Sequence, residues 1–590
     1  MQNRPLNQSL QALNIAVEFH PFISHLSDLA REKDRMPFIG REKEIEAVVE
    51  TLLRKLKKGI ILVGHPGVGK TALITELARR INRGRVPGPL QGKVILELAL
   101  NSFLYSGKSG DLLAKDFEKL FAQIKSNHER VILFLDELQL PSMVGTARPK
   151  KINHIQELLK AHFASRELTI IAAASPEDFY KYFKSDETIA AHFSAILLNE
   201  PEKKEMLKIL AGVKTYFERY YHLRIPAGLF EDMYAFAQRF IPARAFPDKA
   251  IELLDISCSK ASLKKAKTLA VHFIHQSVAA ISRLPIGIVQ LDPQVHYRYL
   301  LDYLKGASVD QLSALEEIAR IIKLARLETA VNAMKPQGIF LFLGPTGIGK
   351  SFVAARIAEY LFGSVEKLRR IDLADFKKAE DIGKLTGGPG MEDTGLLIRE
   401  IESHPFSVLL FENIDEGHSA VLYFLGKTLS RGEIIDHFGK KHCLANIIVI
   451  LSLSAIGEEK KGATIGFVSG EPRSGTITIE PKIMNVLDWV DEIIQFAPLD
   501  RGHLEQIARI RLDELAREVR QRHGCKFSVD PVLLDTVVEA AVKSGRYAHT
   551  VSEFVEREIR LALMDVITKT EKKLKLRIGI EKKRVLIKTV

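Results

Sequence analysis

No stretch of the sequence approaches the ~18 uninterrupted apolar residues of a membrane-spanning helix, so no span is expected. The first residues, "MQNRPLNQSLQALNIAVEF", lack a cationic segment followed by a long apolar run, and neither a signal nor a transit peptide is predicted. Cysteine is scarce. Cys258, Cys443 and Cys525 lie far apart, without metal-type or redox-type spacing, and fit plain thiols in a reducing, cytoplasmic compartment. Aromatic-basic interleaving and a helix-turn-helix pattern are also missing. Lys and Arg do exceed Asp and Glu, by 85 − 73 = 12, but the excess is spread along the chain. Its densest runs, "RKLKK" at 54–58 and "KTEKKLKLRIGIEKKRVLIK" at 569–588, read as solvated faces, the second like a two-faced strand pair. Nucleic acid is therefore disfavoured as a partner.

What the chain does have is length and a repeat. Its 590 residues suggest about three to five domains. "GIILVGHPGVGKTALITELARRI" at 59–81 returns as "GIFLFLGPTGIGKSFVAARIAEYL" at 338–361. Each copy is an apolar strand, a glycine-rich loop and a helical pattern. The first loop is Gly64, His65, Pro66, Gly67, Val68, Gly69, Lys70 and Thr71; the second is Gly344, Pro345, Thr346, Gly347, Ile348, Gly349, Lys350 and Ser351. Glycines at this spacing let backbone N–H groups converge on a polyphosphate, and the lysine meets the terminal phosphates. The hydroxyl of Thr71 or Ser351 would ligate Mg²⁺, so ATP with Mg²⁺ is the expected ligand at both loops. Two copies, each between a strand and a helix, make chance a poor explanation.

The partner motif of the first loop is "RVILFLDELQ" at 130–139, an apolar strand ending in Asp136 and Glu137. Asp136 would hold the metal through its water shell, and Glu137 would take the proton of the attacking water.

With these motifs in place, the chain resembles the tandem-module Clp unfoldases of the AAA+ superfamily. The resemblance runs through "LAREKDRMPFIGREKEIEAVVETLLRK" at 29–55, the first loop, "VILFLDEL" at 131–138 and "FIPARAFPDKAIELLD" at 240–255. It resumes at the second loop and continues to "VEREIRLALMDVI" near the carboxy terminus. It implies two α/β modules, each a parallel sheet flanked by helices and followed by a small helical domain. The expected order is a short amino-terminal extension (1–28), a first large domain (29–198), its small domain (199–268), a linker (269–310), a second large domain (311–498) and a second small domain (499–590). Too few residues remain for the family's amino-terminal adaptor domain or its coiled-coil insert. Such subunits assemble as rings, normally hexamers, and act on protein partners. Arg244, in "PARAFPDKA", matches a family arginine that senses nucleotide.

The departures from the family pattern are as informative as the matches. Ala191 and His192 stand where two finger arginines would reach a neighbour's nucleotide, unless Arg166 substitutes. In the second module "VLLFENIDEGH" at 408–418 places Glu412 and Asn413 where Asp-Glu would stand. Glu412 can still reach the metal shell, but Asn413 cannot accept a proton, and losing a general base costs about 10²–10⁴-fold. Ser454 replaces the water-positioning asparagine, "PKIMNVLDWVDEII" at 481–494 carries no finger arginine, and His549 falls at the sensor arginine. Tyr105 is the only aromatic placed to grip a polypeptide in the first module, and the second offers Met391. Ile465, Gly466 and Phe467 match in type the apolar loop by which protease-linked members dock onto a barrel peptidase. The expected function is remodelling of a protein partner, driven by hydrolysis in the first module, with a second module that binds nucleotide without effective cleavage. A nucleotide-gated scaffold is the alternative, and an ATP-dependent nucleic-acid factor a third reading.

Overall fold

The computed structural model describes residues 10–31, 35–104, 110–136, 158–159, 161–163, 167–180, 191–327, 335–388, 395–436, 441–454, 463–464, 478–479, 481–567, 575–581 and 584–589. Glu137, Tyr105, Arg166, Met391 and the tripeptide Ile465, Gly466, Phe467 lie outside them. The chain divides into two units, Met1–Ser282 and Arg283–Val590.

The first unit is built on a six-stranded sheet. Its strands are β1 (Ile23–His25), β2 (Gly59–Val63), β3 (Val94–Leu98), β4 (Val131–Leu135), β5 (Thr169–Ala174) and β6 (Phe193–Leu197), in the order β1-β3-β4-β5-β2-β6. All neighbours are parallel except β1, which lies antiparallel along β3. Both faces are covered, which is why β4 reads as the unbroken apolar run "VILFL" rather than an alternation. One face packs α1 (Glu42–Leu53) and α2 (Lys70–Asn82) through Val48, Leu73, Ile74 and Leu77. The other packs α3 (Gly110–Lys125) through Phe117, Leu120 and Phe121. Leu10, Leu13, Ile15 and Phe19 join that second core, so residues at the amino end supply both core side chains and an edge strand. The sheet is followed by α4 (Lys203–Tyr221), α5 (Leu229–Phe240), α6 (Asp248–Leu263) and α7 (Val271–Ser282), which form the small helical domain.

The second unit opens with two short helices, Ile286–Gln290 and Pro293–Arg298, ahead of α8 (Leu300–Ala307) and α9 (Leu312–Leu327), so residues 269–310 are mostly helical and the division between units falls inside them. Its sheet uses β7 (Ile339–Leu343), β8 (Leu368–Asp372), β9 (Ser407–Glu412) and β12 (Ile447–Leu453), with α10 (Lys350–Phe362), α11 (Leu396–Ser403) and α12 (Ser419–Arg431) between them. A small hairpin, β10 (Glu433–Ile435) with β11 (Lys441–Cys443), precedes β12, and a short pair, β13 (Ala463–Thr464) with β14 (Thr478–Ile479), follows it. After α13 (Pro481–Leu487) comes the edge strand β15 (Glu492–Gln495), giving the all-parallel order β15-β7-β12-β9-β8. Trp489, the chain's single tryptophan, packs partly buried against this core. Its indole presses on α12 at Gly426, where a Cβ would fall 2.3 Å from Nε1. The unit ends with α14 (Arg501–His523), β16 (Lys526–Val529), α15 (Pro531–Ser544), α16 (Tyr547–Phe554), α17 (Arg560–Ile567), β17 (Lys575–Glu581) and β18 (Arg584–Thr589). The last two strands form the antiparallel pair that the alternating charges predict, with β16 added in parallel to β17.

Candidate functional site

Each glycine-rich loop leaves the carboxyl end of a central strand and enters a helix at its lysine. Gly69 and Gly349 cap α2 and α10 in left-handed conformations, φ 99° and 108°, and carry the first free N–H groups toward the loop. Inside the first loop the Lys70 ammonium, 8% exposed, donates to the carbonyls of Gly64 at 2.7 Å and His65 at 3.1 Å. The second repeats the arrangement: Lys350, 6% exposed, donates to Gly344 at 2.6 Å and Pro345 at 2.9 Å. Burial brings the Lys350 ammonium down to about 8, against the opposing pull of Asp415 and Glu412. An arriving anion would relieve that burial penalty. Val68 and Ile348, one residue before the capping glycines, are core side chains that anchor the loops from below.

Beside each loop stands the acid that ends a neighbouring region of sheet. The Thr71 hydroxyl donates to Asp136, just past β4. The Ser351 hydroxyl donates to Glu412 Oε1 at 2.8 Å, at the end of β9. A hydroxyl and a carboxylate are hard oxygen donors, and Mg²⁺ commonly takes one or two carboxylates together with substrate phosphates. Among the described residues no group of three or more His, Cys, Asp or Glu could hold a metal by itself. The donor set thus fits a nucleotide-borne Mg²⁺ rather than an all-protein metal cage.

Two acids escape a motif search. Glu97, the one charge in the apolar strand "VILEL", has its carboxyl pushed up by burial and by Asp136. Asp372, at the end of β8, lies directly across from Glu412 in the ladder. Its Oδ1 accepts from the Asn413 side-chain amide at 3.0 Å and from the backbone N–H of Ala374 at 3.0 Å. Asn413 itself sits at φ 53°, a left-handed conformation that Asn tolerates better than most residues. A charged residue at or next to the end of a strand is the only sequence signal for either acid. Arg41, just before α1, is equally silent in sequence: its guanidinium donates to the carbonyls of Val68 and Asn199, tying the first loop to the chain leaving β6.

The small domains close on the loops. In the first unit the Asp248 N–H donates to the Gly67 carbonyl at 3.3 Å. Arg244 is half exposed and pairs with Glu252 on α6. In the second unit the Ala548 N–H donates to the Gly347 carbonyl at 3.0 Å. A Cβ on Gly347 would fall 1.9 Å from the Arg546 carbonyl oxygen and 3.2 Å from His549 Cβ, so His549 borders this loop. Its imidazole lies 3.8 Å from Glu553. Ala191 is exposed at the start of the segment leading into β6, with His192 beside it. Ser454 directly follows β12, the strand between β7 and β9.

Two glycine-rich phosphate loops, each with a buried lysine, a hydroxyl held by an acid and a helical domain closing from one side, define a tandem P-loop ATPase of the AAA type. Family models agree: one described as AAA ATPase domain matches residues 37–99, one described as AAA lid domain matches 202–289, and one described as AAA domain (Cdc48 subfamily) matches 335–487. More particularly, the chain belongs with the tandem-module Clp-type AAA+ ATPases. It is 27% identical to the ATP-dependent Clp protease ATP-binding subunit ClpE of Lactococcus lactis, over 92% of this chain and 80% of that protein. It is 32% identical to a ClpA homolog protein of Fuscovulum blasticum, over 84% of this chain and 63% of that protein. The fold is that of the Hsp104-ADP complex of S. cerevisiae, with a TM-score of 0.72 over 96% of this chain and 99% of that one, at 24% identity.

Proposed function

We propose that this is a divergent Clp-type remodelling ATPase in which the first unit turns ATP over and the second holds ATP as a structural ligand. The observation that carries the reading is Asn413. It stands where the proton acceptor of an active module would be, and its amide nitrogen is committed to Asp372, a carboxylate already accepting a second hydrogen bond. The binding elements beside it, Lys350, Ser351 and Glu412, keep the same contacts as Lys70, Thr71 and Asp136. A site with its phosphate grip intact and its base replaced binds without cleaving.

In the first unit Lys70 and the N–H groups at the start of α2 would hold the terminal phosphates, and Thr71 with Asp136 would hold Mg²⁺. Bound Mg²⁺ supplies charge neutralisation on the phosphate oxygens. Glu137 takes the proton from the attacking water, and Arg244 reports nucleotide to the small domain. With no guanidinium at Ala191 or His192, turnover is slow, since a trans arginine is worth about 10³–10⁵ in rate. Because AAA+ nucleotides bridge subunits, the working form is a ring, a hexamer by family pattern, in the cytoplasm, acting on a protein partner. Tyr105 would be its gripping residue, and Ile465, Gly466 and Phe467 its contact to a barrel peptidase. A nucleotide-gated scaffold is the second reading, favoured by the same unarmed finger positions. Among the described residues no helix is long and apolar enough to cross a membrane.

The test is ATP turnover by the purified chain beside Lys70→Ala and Lys350→Ala. Loss in the first with retention in the second is expected. Lys350→Ala should also forfeit the thermal protection by Mg-ATP that a filled second site confers, about 2.7 kcal/mol at a hundredfold excess over Kd. Turnover that survives Lys70→Ala and disappears with Lys350→Ala would reverse the assignment.

A further inference from the structure

Away from both phosphate loops, the far end of α2 carries a cationic cluster that the ATPase chemistry does not use. A cleft of about 260 Å³ is lined by Glu76, Arg80, Arg83 and Arg85. The loop that displays the last two arginines is a fixed cap: the N–H of Gly84 donates to Ile81 at 3.0 Å and that of Arg85 to Arg80 at 2.8 Å, with Gly84 at φ 65°. Glu76 is already shared between Arg79 at 2.8 Å and Arg80 at 3.3 Å, and Arg80 also takes Glu42 at 2.8 Å. No acid among the described residues pairs with Arg83 or Arg85. Two guanidiniums therefore face solvent uncompensated across one cleft.

A second cleft of about 330 Å³ shares Arg80 and Arg85 and is otherwise different in kind. Its apolar lining is Ile45, Val49 and Leu53, one face of α1 at helical spacing, together with Pro87. Leu53 is 40% exposed. Glu46 and Glu50 rim it. Arginine pairs beside an apolar trough suit a carboxylate flanked by an apolar side chain. A nucleic-acid backbone fits poorly: its phosphates follow one another closely, and here a short cationic cluster gives way to an apolar strip bordered by two acids.

We propose that this composite trough on the first unit is a docking site for an acidic, apolar peptide segment of a protein partner. The acidic side chain lies between Arg83 and Arg85, and its apolar neighbour rests on the α1 face at Val49 and Leu53. The contact is independent of nucleotide, because none of its residues belongs to either phosphate loop.

The experiment is fluorescence anisotropy on the full chain, without nucleotide, using a fluorescein-labelled peptide Gly-Leu-Asp-Leu-Glu-Gly and its amide counterpart Gly-Leu-Asn-Leu-Gln-Gly. The acidic peptide should bind, and the amide counterpart about tenfold more weakly. The double variant Arg83→Ala/Arg85→Ala should weaken the acidic peptide by about tenfold or more, the order set by losing one or two charge-assisted hydrogen bonds. Leu53→Ser should weaken both peptides by a similar factor. ATP turnover of these variants without peptide should match the parent. No binding to the parent chain, equal binding to the double variant, or displacement of the peptide by a single-stranded oligonucleotide would each overturn the proposal.

Discussion

Replacing Gly347 by alanine separates two roles of one glycine, and Gly349→Ala supplies the control. Both residues have left-handed backbones, φ 83° and 108°. An L-residue forced into that region costs about 1–2 kcal/mol at either position. At Gly349 no protein atom lies within 4 Å of the added Cβ, so within the chain that strain is the only cost. At Gly347 the Cβ would fall 1.9 Å from the Arg546 carbonyl oxygen, and α16 must retreat by about 1.5 Å to reach ordinary contact at 3.4 Å. Retreat breaks the Ala548 to Gly347 hydrogen bond, 3.0 Å long and worth about 1 kcal/mol. The same retreat relieves the 3.2 Å approach to His549 Cβ and gives up the packing of α16 on the loop. Gly347→Ala should therefore lose about 1–2 kcal/mol more Mg-ATP affinity in the second unit than Gly349→Ala, roughly a tenfold difference in Kd. Calorimetric titration in a Lys70→Ala background, where only the second site takes nucleotide, measures both. Hydrogen exchange should show residues 547–554 opening faster in Gly347→Ala alone. Equal affinities and equal exchange in the two variants would refute the claim that the small domain rests on this loop.

Three further outcomes follow from the site. Glu137→Gln should abolish turnover while leaving ATP bound, read by single-turnover hydrolysis and by retained nucleotide; an unchanged rate would remove Glu137 as the base. Asn413→Glu should not restore cleavage in the second unit, because a glutamate there loses the bond to Asp372, faces its carboxylate, must hold φ 53°, and still lacks an arginine. Its measurement is ADP formation in the Lys70→Ala background, where rapid turnover would contradict the reading. A slowly cleaved ATP analogue should shift the chain from small species to a ring in sedimentation, and Lys350→Ala should blunt that shift more than it changes turnover; a monomer at every nucleotide concentration would defeat both the remodelling and the scaffold readings.

The nucleotide grip was legible because its parts are contiguous: eight residues make the loop, and the strand and helix around it announce themselves by period. Asp136 and Glu412 were equally readable, as polar residues ending apolar runs. What escaped was assembled across distance. Asp372 meets Asn413 only because β8 and β9 are neighbours in the sheet, and nothing in "LRRIDLAD" names that partner. The contact of Arg546 and His549 with Gly347 joins residues some two hundred positions apart through the closing of a helical domain. At the amino end, polar-amphipathic residues read as an extension, yet Leu10, Leu13, Ile15 and Phe19 sit in the core and β1 completes the sheet edge. Short apolar segments of that kind have too little periodicity to declare where they pack. The uncompensated arginines at the end of α2 were hidden for another reason, since only the ion pairs made by their neighbours show which charges are left over.

The lone indole at Trp489 gives the molecule an internal beacon. It lies against α12 and just ahead of β15, and β15 is hydrogen-bonded along β7, the strand that delivers the second phosphate loop. Every photon of tryptophan emission from this chain originates in the second unit. A change in emission on adding Mg-ATP is thus a private channel from that unit. Lys350→Ala should silence it and Lys70→Ala should leave it intact, so nucleotide binding to the second unit can be watched on its own, in the whole protein, without a label.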